Sequence, residues 1–271
     1  IRTNPIKTGA VPVPSDDILY EVRDGIGRVT FNRPEARNAF TFEMYPRLGE
    51  ICANVPDDGS VRVIIMTGAG DKAFGSGTDM TQFRGFDKPE DAWAYEDRLD
   101  NVMVQIEHCP VPTIAAINGA CTGGGAAIAA LCDIRLASSN FKFGFPIART
   151  LGNCISTNNL SRFSQVIGTN LLREILLTAR LIEADEALAS GLVSEIVESH
   201  EALMARAEEL AKRIASHAPL TLRATKEGLR RISEGAAVDD RDLIALCYMS
   251  EDFKEGMEAF LSKRRPSWKG K

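Results

Sequence analysis

Asn118-Gly-Ala-Cys-Thr-Gly-Gly-Gly-Ala-Ala-Ile-Ala-Ala-Leu-Cys-Asp133 carries the strongest local signal in the chain. Three consecutive glycines, Gly123 to Gly125, separate an apolar run from a series of small helix-forming residues. Such a junction predicts a helix whose first backbone N–H groups lie uncovered, because no Cβ shields them. A carbonyl or phosphate oxygen can then approach them closely. No carboxylate follows the glycines until Asp133. The segment is suited to hold a developing oxyanion, with no acid or base beside it.

Working outward, the same strand-then-helix rhythm repeats. Ile18–Arg23 and Gly27–Asn32 alternate around Asp24-Gly25 and predict a hairpin. Thr41 is placed to cap a helix over Phe42–Val55. Val61–Thr67 is an apolar run of strand length, expected to be buried on both faces. Glu90–His108 has helical periodicity, and Pro110 and Pro112 precede a strand at Thr113–Ile117. The helix opened by the glycines ends near Leu131, and Asp133–Ala137 is again strand-like. Short connections between alternating strands and helices indicate parallel βα units. Beyond Ser161 the pattern is mostly helical: Ile167–Ala179, Glu183–Ser190, Glu201–His217, Leu220–Ser233 and Asp239–Lys263, with a strand-like interruption at Leu192–Val197. The organisation expected is an N-terminal arm over 1–17, a core over 18–197 and a helical region over 198–271.

With 271 residues and a formal net charge of −5, the chain offers no basic face for nucleic acid as its main partner. No apolar run approaches the roughly 18 residues needed to span a bilayer, and residues 1–17 lack an apolar signal core. Six cysteines without C-x-x-C spacing read as reduced thiols of a cytoplasmic protein. Three histidines at no ligand spacing give no zinc set. No metal or separate cofactor is expected.

A second glycine-containing loop, Lys72-Ala-Phe-Gly-Ser-Gly-Thr-Asp-Met80, follows the strand at 61–67. One N–H from each loop would make a two-donor oxyanion hole, each donor lowering a barrier by roughly 3–4 kcal/mol. Either loop taken alone reads equally well as a tight turn. Gly68-Ala-Gly-Asp-Lys-Ala73 also fits the dinucleotide pattern G-x-G-x-x-A. That pattern needs a helix starting at its middle, and Phe74-Gly75-Ser76-Gly77 would break one.

Six segments in order resemble the enoyl-CoA hydratase/isomerase, or crotonase, superfamily. They are Asn32-Arg-Pro-Glu-Ala-Arg-Asn-Ala39, Lys72 to Asp79, Pro112 to Gly125, Ala187–Val197, Ala218-Pro-Leu220 and Glu255 to Pro266. The resemblance implies an α/β fold, a crotonase-type spiral of ββα turns with a helical C-terminal region, assembled as a homo-trimer or hexamer. It implies an acyl-CoA thioester as substrate, so that coenzyme A is part of the substrate. By position, the oxyanion donors are the backbone N–H groups of Thr78 and Gly124. Residues placed along the CoA moiety are Arg33, Ala36, Arg37, Ala39, Lys72, Ala73, Ser76, Asp79 and Met80. Phe260 and Lys263 resemble tail positions that reach adenine and phosphates, although Lys263 is equally a solvated charge at a helix end.

The departures from the family carry as much information. Family hydratases place one glutamate two residues past the glycine triplet and another after the next strand. Here the first position is Ala127, and the second falls at Ile147 or Ala148. Asp133 resembles a structural residue at a strand start. Substitutes for proton transfer or anion binding are sought in the polar segment 145–159: Arg149, Cys154 and Asn158, together with Asn153. Ordinary loop hydrogen bonding accounts for these residues equally well, and an apolar neighbourhood would keep Cys154 unreactive. Asp79, Glu96 and Asp97 are further carboxylates that could reach in, on a stretch whose charges are expected to face solvent. Two functions are compatible with these residues: an enzyme passing through a thioester enolate with non-standard acid–base groups, and an acyl-CoA-binding protein without turnover.

Overall fold

The computed structural model describes residues 16–235 and 239–271; most of the predicted N-terminal arm lies outside them. The elements in chain order are β1 (Ile18–Arg23), β2 (Ile26–Phe31), α1 (Met44–Ala53), β3 (Val63–Gly68), β4 (Ala73–Gly75), α2 (Pro89–Glu107), β5 (Thr113–Ile117), β6 (Ala120–Thr122), α3 (Gly124–Leu131), β7 (Ile134–Ser138) and β8 (Lys142–Gly144). They continue with α4 (Ile147–Thr150), α5 (Thr157–Ile167), α6 (Thr169–Thr178), β9 (Ile182–Glu183), α7 (Ala184–Ala189), β10 (Glu195–Val197), α8 (His200–Ala215), α9 (Pro219–Ser233), α10 (Arg241–Tyr248) and α11 (Glu251–Leu261).

The strands form two sheets. The larger has the order β1-β2-β3-β5-β7-β10, with an antiparallel hairpin at one edge and parallel pairing from β2 onward. The smaller has the order β4-β6-β8-β9. Three strands of the larger sheet, β3, β5 and β7, are each followed by a short strand of the smaller one (β4, β6 and β8) and then by helix. This is the expected spiral of ββα turns.

Burial on both faces explains the apolar run of β3. Ile64 and Met66 enter the core shared with α1, α2, α3 and α5, while Val63 and Ile65 face the opposite side. There α8 lays Leu203, Ala207, Ala211 and Ile214 across the sheet, at a spacing that keeps one helical stripe inward. Asp133 accepts from the Thr113 N–H at 2.7 Å and the Thr113 hydroxyl at 2.8 Å, and it pairs with Lys226 of α9 at 2.6 Å. This carboxylate ties the start of β5 to the C-terminal helices. Among the described residues, no helix is long and apolar enough to cross a membrane.

Several sequence expectations are corrected. The helix expected at Phe42 begins at Met44, and Thr41 does not cap it. The reason is a tertiary pull: Phe40 bridges to Thr78 in extended conformation, and the Phe42 N–H donates to Gln82. Asp239–Lys263 is two helices rather than one. Ser250 breaks the run, its hydroxyl accepting from the Phe253 N–H at the start of α11. The polar segment 145–159 is not a plain loop, because α4 lies within it and α5 begins at Thr157. Ser156 caps α5 through the Asn159 N–H. The three-residue strands β4, β6 and β8 are too short to leave a periodic signature, and none was anticipated.

The main chains of α3 and β4 approach closely. A Cβ built on Gly125 would overlap the carbonyl of Gly75, and Gly75 Cα would stand 2.9 Å from it. Both obstructing atoms are backbone, so a substitution must move a strand. Gly125→Ala is therefore expected to destabilise the fold by about 1–3 kcal/mol, the usual cost of overpacking. Urea unfolding checks this, and an unchanged midpoint would contradict the packing.

Candidate active site

The two glycine-containing loops meet at the base of a cavity of about 560 Å³. An ideal Cβ on Gly123 would lie 3.2 Å from the Gly77 Cα, so the loops touch main chain to main chain. Gly124 is the first residue of α3 and has no intrahelical acceptor for its N–H. The Gly77 carbonyl and the Asp79 N–H both bond to Phe40. Extended backbone alternates its polar groups, so the Thr78 N–H between them points the other way, toward the cavity. Neither N–H donates to an acceptor among the described residues.

Thr78 is anchored by its side chain. Its hydroxyl lies 2.7 Å from the Tyr45 hydroxyl and 2.8 Å from that of Tyr95. Tyr45 is fully buried, and burial pushes its phenol well above the ordinary range. Burial likewise pushes Tyr95 up to about 12, so both stay neutral hydrogen-bonding groups at ordinary pH. A side chain at position 124 would collide with the Tyr45 hydroxyl, which accounts for the middle glycine. One phenol thus touches both halves of the base.

The cavity has two characters. Arg37 and Ser76 belong to its polar part. Phe83, Leu99, Met103, Phe145, Ile155 and Phe163 supply apolar wall. Ala127 and Ile147 also line it, while Ala148 does not. At the two positions where carboxylates were sought, the cavity wall is apolar.

The predicted residues distribute unevenly. Thr78, Gly124, Arg37, Ser76, Met80 and Cys154 line the cavity. Arg33 does not; its guanidinium donates to the Ala39 carbonyl at 2.7 Å and to Asp79 at 3.1 Å. Asp79 caps the short turn Met80–Phe83 by accepting from Thr81, and that bond holds its carboxyl below the usual range. The Ala36 carbonyl accepts from the Ser76 hydroxyl at 3.4 Å. Lys72 and Ala73 border a separate shallow concavity with Pro34 and Gly70. Phe260 is 84% exposed on α11, and Lys263 follows that helix with φ +53°.

Of the proton-transfer candidates, Arg149 is exposed and off the cavity wall. Asn158 is also off the wall; its amide donates to Asp100 at 3.0 Å. Asp100 further accepts from Ser156 and Asn159 and pairs with Arg162, so these polar side chains fasten α5 to α2. Cys154 and Asn153 are at the wall and exposed.

Of the three further carboxylates that the sequence offers, Asp79, Glu96 and Asp97, Glu96 lines the cavity. It is half-buried on α2. Burial and the nearby Asp100 push its carboxyl above the usual range, partly offset by the Ser156 N–H. The signal was present: Glu96, Leu99 and Met103 recur at i, i+3 and i+7, putting an acid on the apolar stripe of α2. Asp97, one residue on, is exposed.

Comparison with known proteins gives the family and the fold. The family model described as enoyl-CoA hydratase/isomerase matches residues 21–271. A short-chain-enoyl-CoA hydratase of Clostridium acetobutylicum is 34% identical over 254 residues, 92% of this chain and 96% of that protein. An (E)-benzylidenesuccinyl-CoA hydratase of Thauera aromatica is 37% identical over 259 residues, 93% and 99% of the two chains. The crystal structure of an enoyl-CoA hydratase/carnithine racemase from Magnetospirillum magneticum superposes with a TM-score of 0.88 at 35% identity, covering 94% of this chain and 96% of that one.

The Thr78 anchor generates a stability prediction. Thr78→Val leaves the buried Tyr45 hydroxyl without a partner and is expected to cost about 1–3 kcal/mol, whereas Thr78→Ser retains most of the stability. Thermal unfolding of both variants reads this. Equal melting temperatures for Thr78→Val and the unsubstituted chain would contradict the anchoring role.

Proposed function

The chain belongs to the enoyl-CoA hydratase/isomerase family, and on that premise we propose that its cavity binds an acyl-CoA thioester and stabilises the thioester enolate through the N–H groups of Thr78 and Gly124. The observation that carries this reading is the pair of unpartnered N–H groups at one end of a largely apolar cavity. Donors aimed where charge develops act only as the enolate forms, and the surrounding apolar wall strengthens them. The acyl chain would occupy the part lined by Phe83, Leu99, Met103 and Phe145. The CoA moiety would leave past Ser76 and Arg37, whose cation suits a phosphate.

The proton chemistry differs from a two-glutamate hydration. Ala127 and Ile147 have no titratable group, so water activation between paired carboxylates is not available at those positions. Proton transfer then falls to another residue; the named relatives are hydratases of enoyl-CoA and benzylidenesuccinyl-CoA thioesters.

We further propose a trimer or a pair of trimers. The C-terminal helices leave Leu229, Ile232, Met249, Phe260 and Leu261 each more than 60% exposed. Large apolar side chains left exposed in this number on the C-terminal helices suit a protein contact. Light scattering is expected to give three or six times the 29.5 kDa chain mass, and Phe260→Asp to release smaller species. A monomeric mass for the unsubstituted chain would contradict this assembly.

Enolate formation is tested without knowing the natural acyl group. Butyryl-CoA in deuterium oxide is expected to exchange its α-protons in the presence of the protein, read by proton NMR. Tight butyryl-CoA binding without any exchange would favour an acyl-CoA-binding protein without turnover.

A further inference from the structure

Glu96 stands apart from every other carboxylate near the cavity. It is the sole acidic side chain among the described lining residues, and it lies on the wall that also carries Leu99, Met103 and Phe163. The other acids on the inner side of α2 are already engaged: Asp100 holds Ser156, Asn158, Asn159 and Arg162, and Glu107 pairs with Arg162 at 2.8 Å. Glu96 has no ion pair among the described residues, and no side chain donates to it there. It follows directly on Tyr95, whose hydroxyl contacts Thr78, so its stretch of helix is pinned against the oxyanion loop. A half-buried carboxylate with no ion pair and no side-chain donor among the described residues, facing a ligand cavity, is placed to exchange a proton with what the cavity holds.

Resting on the enolate reading above, we propose that Glu96 is the catalytic acid–base residue of this site and moves a proton between two carbons of a bound acyl thioester. In a 3-enoyl thioester, the Glu96 carboxylate takes the proton from the α-carbon. The C–H electron pair enters the conjugated system, and the negative charge rests on the thioester oxygen, held by the Thr78 and Gly124 N–H groups. Protonated Glu96 then delivers the same proton to the γ-carbon, the carbonyl re-forms, and the double bond lies between the α- and β-carbons. One carboxylate suffices, no water is consumed, and nothing is oxidised or reduced. A single acid on an apolar wall favours this proton shift over hydration, which requires a water to be held and activated as well.

The decisive comparison uses the full-length protein and its Glu96→Gln, Glu96→Asp and Asp97→Asn variants. Isomerisation of 3-hexenoyl-CoA is followed by absorbance of the conjugated product, and binding of hexanoyl-CoA by calorimetry. Glu96→Gln is expected to lose on the order of 10²–10⁴-fold in isomerisation rate, the usual contribution of a positioned acid or base, while its dissociation constant stays within about threefold. Glu96→Asp is expected to retain an intermediate rate and Asp97→Asn the full rate. A Glu96→Gln rate within about threefold of the unsubstituted protein would overturn the assignment while leaving the enolate reading intact. Equal losses of rate and binding in both Glu96 variants would make the residue structural and overturn it also. An unsubstituted protein that binds hexanoyl-CoA but neither isomerises the 3-enoyl thioester nor exchanges α-protons overturns the enolate reading, and Glu96 with it.

Discussion

The architecture depends on one close approach of main chain to main chain. The first turn of α3 lies against β4 and the loop that follows it, Gly125 on Gly75 and Gly123 beside Gly77. No pair of side-chain-bearing residues could sit at that separation. Each loop continues a short strand of the smaller sheet, β4 or β6, which follows β3 or β5 of the larger one, so the two N–H groups are held by both sheets. Under the proposed reading, donors held in this way by packing need no reorganisation as charge develops between them.

Around this contact the residues divide by task. Tyr45 fills the space that a side chain at position 124 would occupy and meets Thr78 at 2.7 Å. Asp133 and Lys226 tie the sheet to the C-terminal helices, while Asp100 gathers the polar side chains that open α5. These charged groups stabilise connections between elements and lie off the cavity wall. What remains at the wall is mostly apolar, which leaves Glu96 as its acidic group. The polarity of the segment 145–159 has a structural part: Asn158 and Ser156 are engaged with Asp100.

The fold was legible where hydrophobic period and length speak together. β3, β5 and α3 lie where their patterns predict them, because burial on both faces or a run of small residues leaves few alternatives. Legibility failed where tertiary contacts overrode local signals. Thr41 has the composition of a cap, yet the bridge from Phe40 to Thr78 holds that segment extended. Ser250 interrupts an otherwise continuous helical pattern by capping α11. The meeting of the two glycine-containing loops was readable from their glycines, and the place of Ala127 on the cavity wall from its spacing. Glu96 was harder, since a helix bearing many charges reads as a solvated face. Its position relative to Leu99 and Met103 becomes informative only when α5 is known to cover that side.

The central claim is that the Thr78 and Gly124 N–H groups receive a thioester carbonyl, and a crystal structure with bound hexanoyl-CoA tests it most directly. The account predicts the thioester oxygen at roughly 2.7–3.1 Å from both nitrogens, with the acyl chain running toward Phe83 and Phe145. A thioester oxygen bound elsewhere, with either N–H turned to another acceptor, would contradict it.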